Sequence, residues 1–300
     1  MRNDSVAAGP VSPSALPVVV VPAYIKPPSP ARNDPAWVRY TVISITYLVV
    51  GLLVAVPLAH VFHQAFSAGI GSYFQKLFGD KDTRHAIFLT LMVAPVSVAM
   101  NVVFGVLAAW LVSRFRFPGR ALLVSLIDLP MSISPVVAGL VFMLVLGLQS
   151  PLGSWLRDHG WQIIFAPPGL VLATAFITFP LVARELIPLM EADGADEEMA
   201  ALSLGANGWQ MFWLVTVPNI RWGLLYGIII CNARAMGEFG AVHVVSGKIS
   251  GQTDTLPLRV EKLFQEYDLP GAFAAASILT LLALLTLIAK AILERKVNQG

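Results

Sequence analysis

Two opposite charges lie inside an otherwise apolar stretch of the chain. Arg234 and Glu238 are four residues apart, so on a helix they would share a face and could pair. A lone arginine at the centre of a membrane span costs roughly 2.5–3.5 kcal/mol on insertion scales, so such a charge usually faces other helices or an aqueous cavity. Two interpretations stay open. Either Arg234 supplies positive potential to an anion path while Glu238 holds its geometry, or the two charges neutralise each other and fix helix packing.

Two further polar residues in apolar stretches, Asp128 and Thr178, are candidates for the same path. Asp128 is expected about two turns from the cytoplasmic end of its helix, within reach of water, whereas a hydroxyl such as that of Thr178 by default bonds back to its own helix. No group of His, Cys and carboxylate residues has the spacing of metal ligands, and no glycine-rich phosphate loop is present. We therefore expect no catalytic residues, no metal and no cofactor in this chain.

The composition requires a non-aqueous environment. Hydrophobic residues make up 56% of the 300 residues and charged residues 13%, against about 25% charged in an average soluble domain. The excess apolar surface must face lipid, where helices satisfy the backbone internally. Six apolar segments approach the roughly 20 residues that span a bilayer, and they lie at 38–64, 86–113, 121–147, 168–190, 219–244 and 271–292. The sequence predicts an all-α membrane protein.

The first 36 residues differ from the rest and contain eight prolines, which favours an extended or disordered tail. The membrane domain is predicted over 37–296. With the N-terminus inside, inner segments hold 12 Lys and Arg residues and outer loops hold seven, as the positive-inside rule requires. Both termini are therefore predicted to be cytoplasmic.

The inner segment 191–218 is longer than a simple link between two spans. Residues 195–204 read as a short helix with acidic residues near its start, and Gly205 is a plausible stop. Asn207 and Gln210 resemble a capping box for a second short helix, which Pro218 is expected to end. Two interpretations follow from composition alone: a docking surface for a soluble partner, or an interfacial hairpin whose tryptophans lie among lipid headgroups.

This segment resembles the EAA loop of ATP-binding-cassette (ABC) importer permeases, usually Glu-Ala-Ala-x-x-x-Gly-x9-Ile-x-Leu-Pro. The matching positions are Ala200, Ala201, Gly205, Val215, Val217 and Pro218, whereas Met199 stands at the usual glutamate and Glu198 lies one residue early. The resemblance implies a type I importer bundle of about six transmembrane helices, whose cytoplasmic coupling helices dock into an ATPase subunit. The resemblance implies an ATPase-coupling role for Glu198 as well, although a shift of one residue rotates a helical side chain by about 100°.

The stretches 208–222 and 237–267 look like the W-type permeases of sulfate/thiosulfate ABC importers, and the likeness extends over roughly 40–293. It implies a bacterial-type inner membrane location, a heterodimer with a paralogous permease, two ATPase subunits that hold ATP and Mg, and an external sulfate-binding protein. The loop 246–270 would receive the loaded binding protein.

Nothing physical in the sequence names sulfate. A molybdate or tungstate permease is the nearest alternative, a secondary anion transporter is another, and a membrane enzyme would need convergent acid, base or metal groups. Nucleic-acid binding is not expected, because basic residues are not concentrated anywhere in the chain.

Overall fold

The computed structural model describes residues 35–297, and this part of the chain contains helices and no strand. The chain divides into two units, residues 1–54 and 55–300. The described part of the first unit is the beginning of helix α1, and the other helices belong to the second unit. The tail predicted over 1–36 lies, apart from its last two residues, outside the described residues.

The helices between residues 35 and 297 alternate long, apolar segments with short connecting ones. Two single π-helical turns occur: Gln75–Gly79 follows α2 and ends at the extended Asp80, and Phe212–Thr216 joins α9 to α10 without a break. The α-helices are α1 (Ala36–Ala65), α2 (Ile70–Phe74), α3 (Lys81–Arg114), α4 (Arg120–Ser132), α5 (Pro135–Leu146), α6 (Pro151–Asp158), α7 (Pro167–Asp193), α8 (Asp196–Ser203), α9 (Gly208–Met211), α10 (Val217–Met236), α11 (Gly240–Ser246), α12 (Leu256–Gln265) and α13 (Leu269–Val297).

Five of the described helices are long and apolar enough to cross a membrane, and the number rises to six if the bent pair α4–α5 forms one span. The five are α1, α3, α7, α13 and the continuous helix Gly208–Met236. The predicted class, an all-α membrane protein with about six spans, is confirmed.

The third predicted span, 121–147, is not one helix. Helices α4 and α5 meet at Ile133 and Ser134 with a bend of 108°. Pro135 opens α5 and disfavours helical geometry at the residue before it, and Ile133 is extended with ψ 139°. Pro135 therefore divides the predicted span, as in a broken span or a re-entrant segment.

The fifth predicted span, 219–244, also differs from expectation at both of its ends. Pro218 does not end the preceding helix, because the π-helical turn Phe212–Thr216 leads directly into α10 and a widened turn accommodates a residue without an N–H. At the other end the helix stops at Met236, and α11 begins after Gly237, Glu238 and Phe239.

Helices α3 and α7 form the centre of the second unit. Gly105 of α3 lies so close to α7 that a Cβ added to it would come within 2.9 Å of the Val182 side chain, and small residues at a helix contact allow such close approach. Leu186, Met190 and Cys231 are fully buried beside this contact, which joins α10 to the same core. The two closely packed central helices therefore fix the positions of the short helices and loops at their ends.

Candidate functional site

The loop between α7 and α10 folds into the two short helices expected from the sequence. Helix α8 has three acidic residues in its first turn, where the helix dipole favours them. It ends at Gly205, whose φ of 93° is in the left-handed region. The Gly205 N–H bonds to the Leu202 carbonyl and the Ala206 N–H to the Ala201 carbonyl, the two bonds of a Schellman motif.

Helix α9 begins with the expected capping box. The Asn207 side chain accepts from the Gln210 N–H at 2.8 Å, and the Gln210 side chain accepts from the Asn207 N–H at 3.0 Å. The aromatic rings that follow pack against one another, with Trp209 stacked on Phe212 and Trp213 edge-on to both. The turn between α8 and α9 is thus held by local hydrogen bonds on both sides.

The outward side of this turn is apolar. Met199 is 60% exposed and Leu204 is 90% exposed, while Leu202 and Ala200 are exposed beside them. We call these four residues the α8 outer face. Of the remaining motif positions, Gly205 and Pro218 are exposed, and Ala201, Val215 and Val217 are half-buried. An exposed apolar group of this kind, on a short helix at one end of a bundle, is typical of a protein contact.

Glu198 does not belong to the α8 outer face. Its carboxylate is buried and accepts two bonds from the guanidinium of Arg114, from Nε at 2.7 Å and from Nη2 at 3.2 Å, in a bidentate arrangement. Thr216 Oγ1 donates a third bond at 2.8 Å. The remaining nitrogen of Arg114, Nη1, donates to the Met190 carbonyl at 2.6 Å. The structure therefore turns the Glu198 carboxylate inward, toward α3 and α10.

A polar cavity of about 300 Å³ adjoins this ion pair, between α8 and the ends of α3, α7 and α10. Glu197 and Asn219 lie on its wall and are joined by a hydrogen bond of 2.5 Å. Neither Arg114 nor Thr216 was predicted as a site residue. Their contacts join residues 84 and 18 positions apart, so local pattern could not reveal them.

The predicted Arg234–Glu238 pair is present, with Nη1 2.9 Å from Oε2. The two residues do not share a helix, because α10 ends at Met236. The other Glu238 oxygen, Oε1, accepts from the Ala241 N–H at 3.1 Å in the first turn of α11. Glu238 is buried, whereas the Arg234 side chain is 46% exposed, so the guanidinium is held from one side and open on the other.

Asp128 and Thr178, the other two path candidates, lie in different surroundings. Asp128 is partly exposed on α4 and pairs with Arg184 of α7 at 2.7 Å. Thr178 is fully buried, accepts from the Asn101 side chain at 2.8 Å and donates to the Thr174 carbonyl at 2.7 Å. In this conformation the Thr178 hydroxyl joins α3 to α7. The translocation-path role of the four candidates stays a prediction.

The opposite end of α3 carries a second buried arginine. Arg259 of α12 donates to Asp80 Oδ2 at 2.7 Å and to Thr83 Oγ1 at 3.3 Å. Burial acts to raise the pKa of the Asp80 carboxyl, but bonds from Thr83, Arg259 and the Asp82 backbone outweigh it, so the pKa lies below its usual value. Asp254 nearby is almost fully buried without a hydrogen-bond partner, and burial raises its pKa.

The described helices form the bundle of a membrane protein, with a bent helix pair and an exposed apolar turn at one end. Comparison with known families assigns it to a class of transport subunits. The family model described as "Binding-protein-dependent transport system inner membrane component" matches residues 101–299, and the chain belongs to this family. It is therefore a multi-pass component of an inner membrane, as the sequence predicted.

Relatives of known name cover most of the chain. It is 53% identical over 258 residues to the sulfate transport system permease protein CysW of Escherichia coli K12, covering 86% of this chain and 88% of that protein. It is 51% identical over 251 residues to the chloroplastic sulfate permease 2 of Chlamydomonas reinhardtii, covering 84% and 68%. The CysT permease protein of the same E. coli strain is 35% identical over 240 residues, covering 80% and 86%.

Among solved structures, the fold is similar to a chain of a bacterial alginate ABC transporter in complex with an alginate pentasaccharide-bound periplasmic protein. The TM-score is 0.71 at 18% identity, with 87% of this chain and 95% of that chain covered. This likeness bears on the fold, and it agrees with the importer permease bundle expected from the sequence.

Proposed function

We propose that this chain is one of two membrane subunits of an ABC importer for sulfate and thiosulfate, forming half of the translocation path. The observation that carries the proposal is the 53% identity to a sulfate permease over 86% of the chain. The relatives named CysW and CysT are paralogous permeases, which supports a heterodimer as the membrane part. ATP and Mg would be held by two partner ATPase subunits, and an external binding protein would deliver the anion.

The α8 outer face is the proposed contact for an ATPase subunit. Met199, Leu202 and Leu204 present apolar side chains that a cleft could enclose, and Ala200 permits close approach. Glu198 lies on the buried side of α8, and its ion pair with Arg114 fixes the position of this helix. This assignment places the α8 end of the bundle in the cytoplasm, as the distribution of Lys and Arg predicts, and places α12 and loop 246–270 outside.

Gly205→Glu is expected to abolish co-purification of the ATPase subunit, because it puts a charged side chain beside the α8 outer face and strains a backbone with φ 93°. The measurement is the amount of ATPase recovered with the tagged, membrane-inserted chain. Gly160→Glu is the matched control, since Gly160 also has positive φ (79°) and open space but precedes α7 at the opposite end. Equal recovery with Gly205→Glu and wild type would contradict the docking assignment.

Arg234 is the proposed anion contact in the path, because its guanidinium is half exposed while Glu238 holds one of its nitrogens. Arg234→Ala is expected to lower the uptake of labelled sulfate at least about tenfold, the loss of one charge-assisted hydrogen bond, and Arg234→Lys is expected to keep part of it. Uptake is measured in cells or proteoliposomes that contain the complete transporter, with molybdate and thiosulfate as competitors. Wild-type rates of sulfate uptake in both Arg234 variants would leave the Arg234–Glu238 pair without a role in transport. In the competition assay, stronger inhibition of uptake by molybdate than by thiosulfate would favour a molybdate permease.

A further inference from the structure

Helix α3 connects the two ends of the second unit as one continuous helix, which has Pro95 in its interior. It contains 34 residues, which at 1.5 Å per residue give a length of about 51 Å. Its packing along α7 leaves small residues such as Ala94 and Ala109 fully buried, so the helix is supported along its length. A supported helix of this length moves as one body, because close-packed interiors transmit displacement rather than absorbing it.

At the α8 end, α3 is fastened by its last residue. Arg114 bonds to Glu198 of α8 through two nitrogens and to the Met190 carbonyl of α7 through the third. The Met190 carbonyl lies in the last turn of α7, where backbone acceptors lack partners within the helix. Thr216, just before α10, bonds to the same carboxylate. A single buried cluster therefore joins α8 to the ends of three longer helices.

At the other end, α3 is fastened by the residues at its beginning. Asp80 caps α3 by accepting from the Asp82 and Thr83 N–H groups, and the same carboxylate accepts from Arg259 of α12. A second bond joins the two helices, from the Leu256 N–H to Thr90 Oγ1 at 2.8 Å. The Arg259 side chain is 8% exposed and that of Asp80 is 36% exposed, so this contact is shielded from solvent on the arginine side, whereas both partners are buried at Arg114–Glu198.

We propose that α3 is a strut that carries movement between α8 and α12, with the ion pairs Arg114–Glu198 and Arg259–Asp80 as its two joints. The proposal rests on the proposed function, in which α8 contacts the ATPase and α12 lies where the loaded binding protein docks. Arg114 and Arg259 are positioning residues in this scheme. Arrival of the binding protein displaces α12. The Arg259–Asp80 joint passes the displacement to α3, and the Arg114–Glu198 joint passes it on to α8.

The test uses the complete transporter in lipid nanodiscs, with ATP hydrolysis measured in the absence and presence of sulfate-loaded binding protein. Arg114→Gln and Asp80→Asn are each expected to lower the stimulation by the binding protein, taken as the ratio of hydrolysis with it to hydrolysis without it, about fivefold or more, the lower end of typical coupling between sites. Asparagine remains a good helix cap, so Asp80→Asn removes the charge facing Arg259 and keeps α3 capped. If the wild-type transporter shows no stimulation, it is the proposed function that fails.

The double variant separates a strut from two local effects. If both joints act through α3, the double variant Arg114→Gln with Asp80→Asn loses no more stimulation than the more severe single variant. If the two joints act independently, the fold losses of stimulation multiply. Multiplying losses, or wild-type stimulation in Arg114→Gln, would overturn the proposal. If Arg114→Gln does not assemble, Thr216→Val is used instead, because it removes one hydrogen bond to Glu198 and leaves the ion pair. Reduced stimulation in Thr216→Val would support the strut, and wild-type stimulation would overturn it.

Two exposed ion pairs provide matched controls for the ends of α3. Arg120 pairs with Glu191 at the α8 end, and Lys76 pairs with Asp268 at the α12 end. Arg120→Gln removes one positive charge, as Arg114→Gln does, and Asp268→Asn removes one negative charge, as Asp80→Asn does. Neither change touches a joint, and both are expected to keep wild-type stimulation. A loss in the controls as large as in Arg114→Gln would mean that surface charge, rather than the joints, governs the response, and it would overturn the proposal.

Discussion

Glu198→Ala is expected to lower the free energy of unfolding by about 3–5 kcal/mol, the usual cost of removing one partner from a buried ion pair. The side chains of Arg114 and Glu198 are only 11% and 8% exposed, so the guanidinium left behind would be buried without a counter-charge. Thr216 would also lose its acceptor. The measurement is thermal unfolding of the purified chain in detergent, followed by circular dichroism or by the loss of monodisperse protein.

Two further variants identify the cause of that loss. Glu191→Ala removes the acid of the exposed Arg120–Glu191 pair at the same end of the bundle, and its effect is expected to stay within about 1 kcal/mol. Adding Arg114→Met to Glu198→Ala removes the stranded charge, and such apolar replacement of a buried pair is often close to neutral. If the double variant were as unstable as Glu198→Ala, the buried charge would not be the reason.

The features that the sequence predicted well depend on neighbours in the chain. The stop at Gly205 and the cap at Asn207 follow from single residues and spacings of three, and both are confirmed in the structure. Four of the six apolar segments are confirmed as single helices, since a bilayer requires a continuous run of apolar residues whatever the surrounding fold. The membrane class, the helix pair of the loop and the Arg234–Glu238 pairing were thus within reach of the sequence.

The features that it missed depend on residues far apart in the chain. The inward turn of Glu198 follows from Arg114, 84 positions away, and the role of Asp80 follows from Arg259, 179 positions away. Helical spacing alone placed Glu198 one residue out of register with the motif and gave it no partner. The spacing of residues along the chain predicts which side chains share a helix face. The residues that contact this face are determined by tertiary packing.

The breaks in the third and fifth spans show a different limit. Hydropathy measures the apolar character of the side chains and carries no information on backbone conformation. For this reason the sequence predicted one continuous span over 121–147 and another over 219–244. The divisions fall where proline or glycine permits them, at Pro135 and Gly237. Glu238 then reaches the start of α11 instead of continuing α10. The two breaks come together in space, because Gly240 of α11 lies against Pro135 of α5.

Gly139→Ala tests how tightly this junction is packed. A Cβ at Gly139 would lie 2.7 Å from the Ala241 carbonyl oxygen and 3.1 Å from its Cα, and backbone cannot move aside as a flexible side chain can. The substitution is expected to cost about 1–3 kcal/mol through overpacking, and by displacing α11 it should also lower sulfate uptake through the Glu238–Arg234 pair.

Gly227→Ala is the matched control, because Gly227 is also a buried helical glycine but its added Cβ would meet its nearest neighbour at 3.6 Å, an ordinary contact. Alanine is favoured over glycine inside a helix by about 0.5–1 kcal/mol, so this variant should be slightly more stable than wild type. The two glycine-to-alanine changes are thus expected to move the unfolding temperature in opposite directions. A higher unfolding temperature in both variants would mean that helix propensity outweighs the α5–α11 contact, and that the junction around Glu238 is looser than the close approach at Gly139 requires.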